Sequence, residues 1–254
     1  MITIAVIAQK GGVGKTSSAL AIGVGLAKYR AAKVLLVDTD AQGNLSRSME
    51  ADYSGTTGAD ALGILTGRAS VKSAIQRTPH GDIVASSPAL SGADTLPELS
   101  KVGREYRLKK ALEPVSCVYD YCIIDTPPAL SIITVNALTA ADSVLIPAQA
   151  DDYSLEALSR LRETIETVRD YCNHSLSVDG ILLTRHNSRA VIAKEIAELM
   201  EQEAQALNTR IYKTRIRECT AVKEAQALRE DIFTYAPRSN AAKDYRALLD
   251  ELRI

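Results

Sequence analysis

Short runs of aliphatic and β-branched residues alternate along this chain with longer stretches in which apolar positions recur every three or four residues. The runs at 2–8, 33–37, 82–86, 119–124, 143–148, 177–184 and 210–213 predict strands. Most are almost uninterruptedly apolar, the pattern of strands buried on both faces of a mostly parallel sheet. Helices are predicted over 15–29, 98–113, 131–141, 154–171, 190–206 and 241–252. In the fifth of these, Ile192, Ile196, Leu199 and Met200 fall at helical spacing and give one apolar face. Such alternation predicts an α/β class fold: a doubly wound, mostly parallel sheet with helices on both faces. The least regular stretch, 52–97, is rich in Gly, Ser and Thr and accommodates a short helix at 58–65, one strand and a loop closing at Pro97. No repeat or long linker divides the chain, so one domain over 1–254 is expected. Met1 leads directly into the first strand, which leaves no room for an N-terminal helix-turn-helix module.

Composition narrows the classes. With 46% hydrophobic and 24% charged residues the chain reads as an ordinary soluble globule. One Phe and no Trp make the core aliphatic and argue against base-stacking platforms. Thirty Lys and Arg against 31 Asp and Glu leave a net charge of −1, which excludes a bulk polycation but not a local basic patch. Cys117, Cys122, Cys172 and Cys219 form no CxxC pair or metal-ligand spacing and read as reduced thiols of a cytoplasmic protein, Cys122 buried in a strand. No apolar run is long enough for a membrane span. His80, His174 and His186 are scattered, and nothing suggests a nucleophilic triad.

The first strand runs into Gln9-Lys10-Gly11-Gly12-Val13-Gly14-Lys15-Thr16-Ser17 and then a helix. Glycines let successive backbone N–H groups turn inward onto phosphate oxygens, and the helix N-terminus adds its partial positive charge. In such a loop Lys15 reaches the β- and γ-phosphates and the Thr16 hydroxyl meets Mg²⁺. The general pattern places Gly where this chain has Gln9, and adds no lysine at Lys10. That second lysine brings positive charge to the place where a transferring phosphoryl group needs it. Two acidic strand ends complete the chemistry. One is Val37-Asp38-Thr39-Asp40; the other is Ile124-Asp125-Thr126-Pro127-Pro128. Parallel strands present their C-terminal ends to the ligand crevice. There Asp125 is placed to hold Mg²⁺, Asp38 to support the metal shell, and Asp40 to orient the attacking water. For any one of these carboxylates alone, an N-cap or turn role is the simpler reading.

Lys10-Gly11-Gly12-Val13-Gly14-Lys15-Thr16, Asp38-Thr39-Asp40-Ala41-Gln42-Gly43-Asn44 and Ile123-Ile124-Asp125-Thr126-Pro127-Pro128 together resemble the deviant Walker A ATPases of the ParA/MinD superfamily, and among them the ParA/Soj branch that segregates plasmids and chromosomes. The resemblance implies ATP and Mg²⁺ as cofactors, with Lys10, Lys15 and Asp40 catalytic, residues 10–17 around the phosphates, and Thr16, Asp38 and Asp125 at the metal. It implies a homodimer formed on ATP binding, in which Lys10 reaches the partner's nucleotide and Gly12 lies where the two loops approach. Slow hydrolysis is then stimulated by a ParB-like centromere-binding protein. The family's Ile-Pro-Arg-Asn loop against the adenine is replaced here by Ile216-Arg217-Glu218-Cys219, so Arg217 and Cys219 become the candidate base contacts.

The same resemblance implies sequence-neutral binding of double-stranded DNA and a nucleoid-associated location, with no membrane partner. Candidate contacts are Arg189, Lys213, Arg215, Arg217 and Lys223; a second family arginine aligns with Ala221. Between 210 and 223, five cations (Arg210, Lys213, Arg215, Arg217, Lys223) face only Glu218, a local charge of +4. The bland alternative is a solvated surface. The C-terminal turns, 245–254, are amphipathic but mix acids with bases and lack Phe and Trp, which predicts a packed closing helix rather than a MinD-type membrane anchor. Two other functions stay open: a nucleotide-gated scaffold or transcriptional regulator, and an ATP-dependent metabolic enzyme.

Overall fold

The computed structural model describes residues 1–186 and 193–253, with the backbone alone at 152 and 193–197. Its centre is a seven-stranded sheet. In chain order the strands are β1 (Ile2–Val6), β2 (Val34–Asp38), β3 (Ile75–Thr78), β4 (Gly81–Val84), β5 (Tyr121–Asp125), β6 (Ser143–Ala148) and β7 (Ser177–Leu183). They lie in the order β3-β4-β2-β5-β1-β6-β7, all neighbours parallel except the β3–β4 hairpin. The expected doubly wound sheet is the one observed.

Alternation along each strand sends side chains to opposite faces, and both faces are covered. Ala5, Leu35, Val37, Cys122, Ile124, Val144, Ile146 and Ile181 join one core, beneath α3 (Ala61–Thr66), α5 (Arg107–Leu112), α6 (Ile132–Ala140), α7 (Asp152–Tyr171) and α8 (Ala193–Ala206). Ile4, Val6, Leu36, Ile123, Leu145 and Leu182 join the other, beneath α1 (Lys15–Arg30) and α11 (Asn240–Glu251). Two apolar sides explain why the strands read as continuous hydrophobic runs. Cys122 is fully buried, and burial pushes its thiol up to about 12. The closing helix is α11, packed on α1 through Tyr245, Leu248 and Leu249.

Several elements depart from the sequence pattern. The expected helix at 98–113 is broken into 3₁₀ turns at Pro97–Leu99 and Arg104–Tyr106 before the short α5. Gly103, at φ 78°, takes the left-handed conformation that ends helical propagation there. No strand forms at 210–213; only Ile211 bridges to Ile181 of β7. The amides of Lys213 and Thr214 instead donate to the two carboxylate oxygens of Glu251, at 2.7 and 2.9 Å. Strand β3 is too polar to signal itself; it forms because Gly81, at φ 124°, turns the chain back onto β4. The short helices α2 (Asn44–Ser48), α4 (Val71–Ala74) and α10 (Ile232–Tyr235), and the longer α9 (Thr220–Leu228), were also not predicted. Of the apolar face proposed for α8, Met200 is buried and Leu199 is 46% exposed, while the side chains of Ile192 and Ile196 lie outside those described. Among the described residues no helix is long and apolar enough to cross a membrane.

Candidate active site

The parallel strands all end at one edge of the sheet, and the polar residues of the sequence motifs stand there. The loop between β1 and α1 turns through Gly12 (φ 77°) and Gly14 (φ 80°), conformations that a side chain would strain. Gly14 closes the start of α1: the Ser18 amide donates to its carbonyl at 2.9 Å. That is the first bond of the helix, so the N–H groups of Lys15, Thr16 and Ser17 have no partner inside it and are free to meet an anion. Thr184, just past β7, steadies the loop by donating to the Val13 carbonyl at 2.8 Å.

Strand order then brings the acids together. Because β5 lies between β2 and β1, Asp38 and Asp125 are register partners at the ends of adjacent strands, and both are fully buried. The Thr16 hydroxyl donates to Asp125 Oδ2 at 2.7 Å. Lys15 Nζ lies 3.8 Å from Asp125 Oδ1 and 3.9 Å from Asp40 Oδ2. Asp38 accepts from the Ser46 amide (2.8 Å), the Ser46 hydroxyl (2.7 Å) and the Asp40 amide (3.1 Å). Burial, then the neighbouring Asp125 charge, push the Asp38 carboxyl up to about 7 against those hydrogen bonds. Burial also raises Asp125, despite the Lys15 ammonium and the Thr16 hydroxyl.

Asp125 Oδ1 is buried and accepts no hydrogen bond. An orphaned carboxylate oxygen beside a threonine hydroxyl and unpaired helix amides fits a hard divalent cation carried by a phosphate chain. Among the described residues no three His, Cys, Asp or Glu side chains gather as a self-sufficient metal site. Mg²⁺ has no need of one, since phosphates and water supply most of its ligands. Both Asp38 oxygens are already engaged, one by the Asp40 amide and the other by the Ser46 amide and hydroxyl. The Ser46 contribution was not legible in the sequence, because nothing local marks a serine eight residues on as the partner of Asp38.

Lys10 is placed differently from Lys15. Its Nζ sits 2.5 Å from Asp151 Oδ2 and 3.5 Å from Gln149 Oε1, on the loop between β6 and α7. Asp151 also caps α7 by accepting from the Ser154 amide at 2.8 Å. Burial raises this carboxyl, but the bonds from Lys10 and Ser154 outweigh it and hold it below the usual range. Beyond Gly11 and Gly12 there is open space: a Cβ at either position meets nothing within 4 Å. Between loop and acids opens a cleft of 540 Å³ lined by Lys10, Lys15, Thr16, Ser17, Asp40 and Gln226, among others. That is room for a nucleotide.

Comparison with known proteins bears on the identity of this site. The AAA domain family matches residues 1–178. The chain is 38% identical over 255 residues to the sporulation initiation inhibitor protein Soj of Bacillus subtilis, covering 98% of this chain and 97% of Soj. It is 36% identical to the chromosome partitioning protein ParA of Myxococcus xanthus, over 96% of this chain and 85% of that one. The chain belongs to the ParA/Soj family of partition ATPases. Its structure superposes on a Mycobacterium smegmatis protein solved with an ATP analogue and magnesium and described as a cobyrinic acid a,c-diamide synthase. There the TM-score is 0.85 at 29% identity, over 98% of this chain and 93% of that one.

The remaining candidate residues of this ParA/Soj-family chain fall outside the phosphate cleft. Cys219 is half-buried at the start of α9 and packs against the α1 side of the core. Arg217 is held by Asp244: Nε and Nη2 donate to the carboxylate at 2.9 and 2.6 Å, and the Arg217 amide adds a third bond. Neither residue lines the cleft, whereas Gln226 and Ala227 of α9 do. Among the basic candidates, Lys213, Arg215 and Lys223 are exposed, and Arg189 lies outside the described residues. Arg215 Nη1 is 3.3 Å from His186 Nε2; burial and the Arg215 charge hold that imidazole below its usual pKa. The +4 read along 210–223 does not survive folding. Asp179 pairs with Arg210, Asp244 with Arg217, and Glu251 caps 213–214, while Arg185 joins the patch by pairing with Glu218, so six cations meet four carboxylates and the local charge falls to +2. Sequence distance hid these acids, which arrive from β7 and α11.

Proposed function

We propose that the chain binds ATP with Mg²⁺ in the cleft and, so loaded, pairs with a second copy into a dimer that holds double-stranded DNA without sequence preference. A ParB-like partner then stimulates slow hydrolysis and release, segregating or positioning a DNA cargo on the nucleoid. Lys15 and the amides of residues 15–17 would hold the phosphates, and Thr16 and Asp125 the cation, which supplies charge neutralisation. Asp40, beside Lys15 and facing the cleft, is the group to orient a water.

The observation that carries the dimer reading is the position of Lys10. This lysine belongs to the phosphate loop, yet its ammonium is tied to Asp151 at the rim while Lys15 alone points at the buried carboxylates. Lys10 can then reach a phosphate only on leaving Asp151, and the open space beyond Gly11 and Gly12 leaves room for a second loop to approach. A ligand shifts such an equilibrium only through its different affinity for the two states. The modest patch charge suits the DNA reading: two weak surfaces joined by ATP bind far more tightly than one, and release on separation.

Size-exclusion chromatography without nucleotide, with ADP and with ATP tests this reading, repeated with Lys10→Ala and followed by DNA retention at rising salt. The expected result is a dimer with ATP only, absent in Lys10→Ala, with DNA retained only by the dimer. A monomer under every condition overturns it. Turnover that depends on a small acceptor molecule, and not on DNA with a protein partner, favours the metabolic enzyme.

A further inference from the structure

Gln226 stands out because nothing in its local sequence marks it for the nucleotide. It lies on α9, which begins at Thr220, yet it lines the same cleft as Lys15 and Thr16. Its Nε2 donates to the Ser17 hydroxyl at 2.8 Å, a bond spanning 209 positions of sequence. Ser17 is the third residue of α1, and its amide is among the unpaired donors at the helix start. A phosphate oxygen met by those amides therefore lies within a few ångströms of the Ser17 hydroxyl, and so of the Gln226 carboxamide.

The hydrogen-bond inventory decides what the carboxamide can do. Gln226 gives one N–H to Ser17 Oγ, which occupies a serine lone pair and leaves the hydroxyl proton to donate into the cleft. Among the described residues nothing else bonds to this side chain, so one N–H and the Oε1 acceptor remain. An acceptor is unsuited to phosphate oxygens, which are themselves acceptors. It suits the hydroxyl groups of a sugar. Lys15 is the loop residue that reaches the β- and γ-phosphates, and it lies beside Asp40; with the terminal phosphate on that side of the cleft, the Ser17 and Gln226 side is left for the α-phosphate and sugar.

We infer that Gln226 is a nucleotide-binding residue that turns the Ser17 hydroxyl onto the α-phosphate and accepts a hydrogen bond from a ribose hydroxyl. This rests on the ATP reading above and extends it to the part of the nucleotide that the loop motif does not specify. It also places a nucleotide contact in the middle of α9, whereas Arg217 and Cys219, the candidate base contacts, do not line the cleft.

The test measures equilibrium binding of ATP, 2′-deoxy-ATP and 3′-deoxy-ATP by calorimetry, for the full chain and for Gln226→Ala, Gln226→Glu and Lys15→Ala. Circular dichroism confirms that each variant is folded. Gln226→Ala is expected to weaken ATP by roughly three- to tenfold, the range for one net hydrogen bond. Wild type is expected to lose a similar factor against one of the two deoxynucleotides, while Gln226→Ala no longer distinguishes that nucleotide from ATP. Gln226→Glu keeps an acceptor but sets a carboxylate beside the phosphates, and is expected to bind ATP more weakly than Gln226→Ala. A Gln226→Ala protein with wild-type affinity and unchanged discrimination overturns the inference, even where Lys15→Ala abolishes binding. Wild type that binds none of the three nucleotides overturns the ATP reading itself.

Discussion

The pair of Lys10 and Asp151 gives the most direct handle on how ATP couples to dimer formation. Asp151→Asn removes the carboxylate charge but leaves an oxygen able to accept from the Ser154 amide, so the cap on α7 is retained. What is lost is the 2.5 Å ion pair, whose side chains are about one-third exposed. Partly solvated pairs of this kind contribute ~0.2–1 kcal/mol, so the variant should be less stable by no more than that. If association requires Lys10 to leave Asp151, each copy gives up one such pair, and the variant is spared ~0.4–2 kcal/mol per dimer. The ATP-dependent dimer should then tighten by about two- to thirtyfold. Sedimentation equilibrium with ATP over a concentration series measures this, and rising salt should shrink the difference because salt screens the pair. A dimer constant that is unchanged or weaker in Asp151→Asn, with the urea midpoint near that of wild type, refutes the coupling of dimer formation to release of Lys10 from Asp151.

Three further outcomes follow from the structure. A Cβ at Gly180 falls 2.6–2.9 Å from ring atoms of Tyr212, which is buried and donates its hydroxyl to Asp179. Gly180→Ala should therefore cost ~1–3 kcal/mol in urea unfolding, partly restored by Tyr212→Leu; wild-type stability in the single variant contradicts this. Asp38 titrates near 7 when folded against 3.8 in its unperturbed state, so the native protein holds an extra proton between those values. Its contribution is most favourable below about 4 and is lost as pH rises through 7. Stability of the nucleotide-free protein should fall from pH 5 to 8, with a flatter slope in Asp38→Asn; equal slopes argue against it. Asp244→Ala releases Arg217 from its bidentate pair. Retention of the ATP-bound protein on DNA should strengthen, with a salt slope steeper by about 0.9 for each additional phosphate neutralised. No change in either would remove Arg217 from the DNA surface.

Much of the fold was legible because its signals are local. Continuous apolar runs told of strands covered on both sides, and Gly12, Gly14 and Lys15 after the first run told of a phosphate loop. The parallel class then placed Asp38 and Asp125 at one edge without further information. Legibility failed where structure depends on remote partners or on single backbone angles. The helix expected at 98–113 had the composition for it, but Gly103 ends it. The 210–213 run had strand propensity, but its pairing with β7 stops at a single bridge because the amides of Lys213 and Thr214 turn to Glu251.

The sequence by itself determined the phosphate chemistry of this protein, because a loop that cradles phosphate is made of contiguous residues whose spacing is its geometry. Tertiary structure alone decided how the charges around that loop are used. It put Lys10 on Asp151, left Asp125 with an unsatisfied oxygen, brought Gln226 to Ser17, and surrounded a stretch that reads as +4 with carboxylates from β7 and α11. Electrostatic interaction depends on distance in space and on burial, and neither is recorded in the order of residues along a chain.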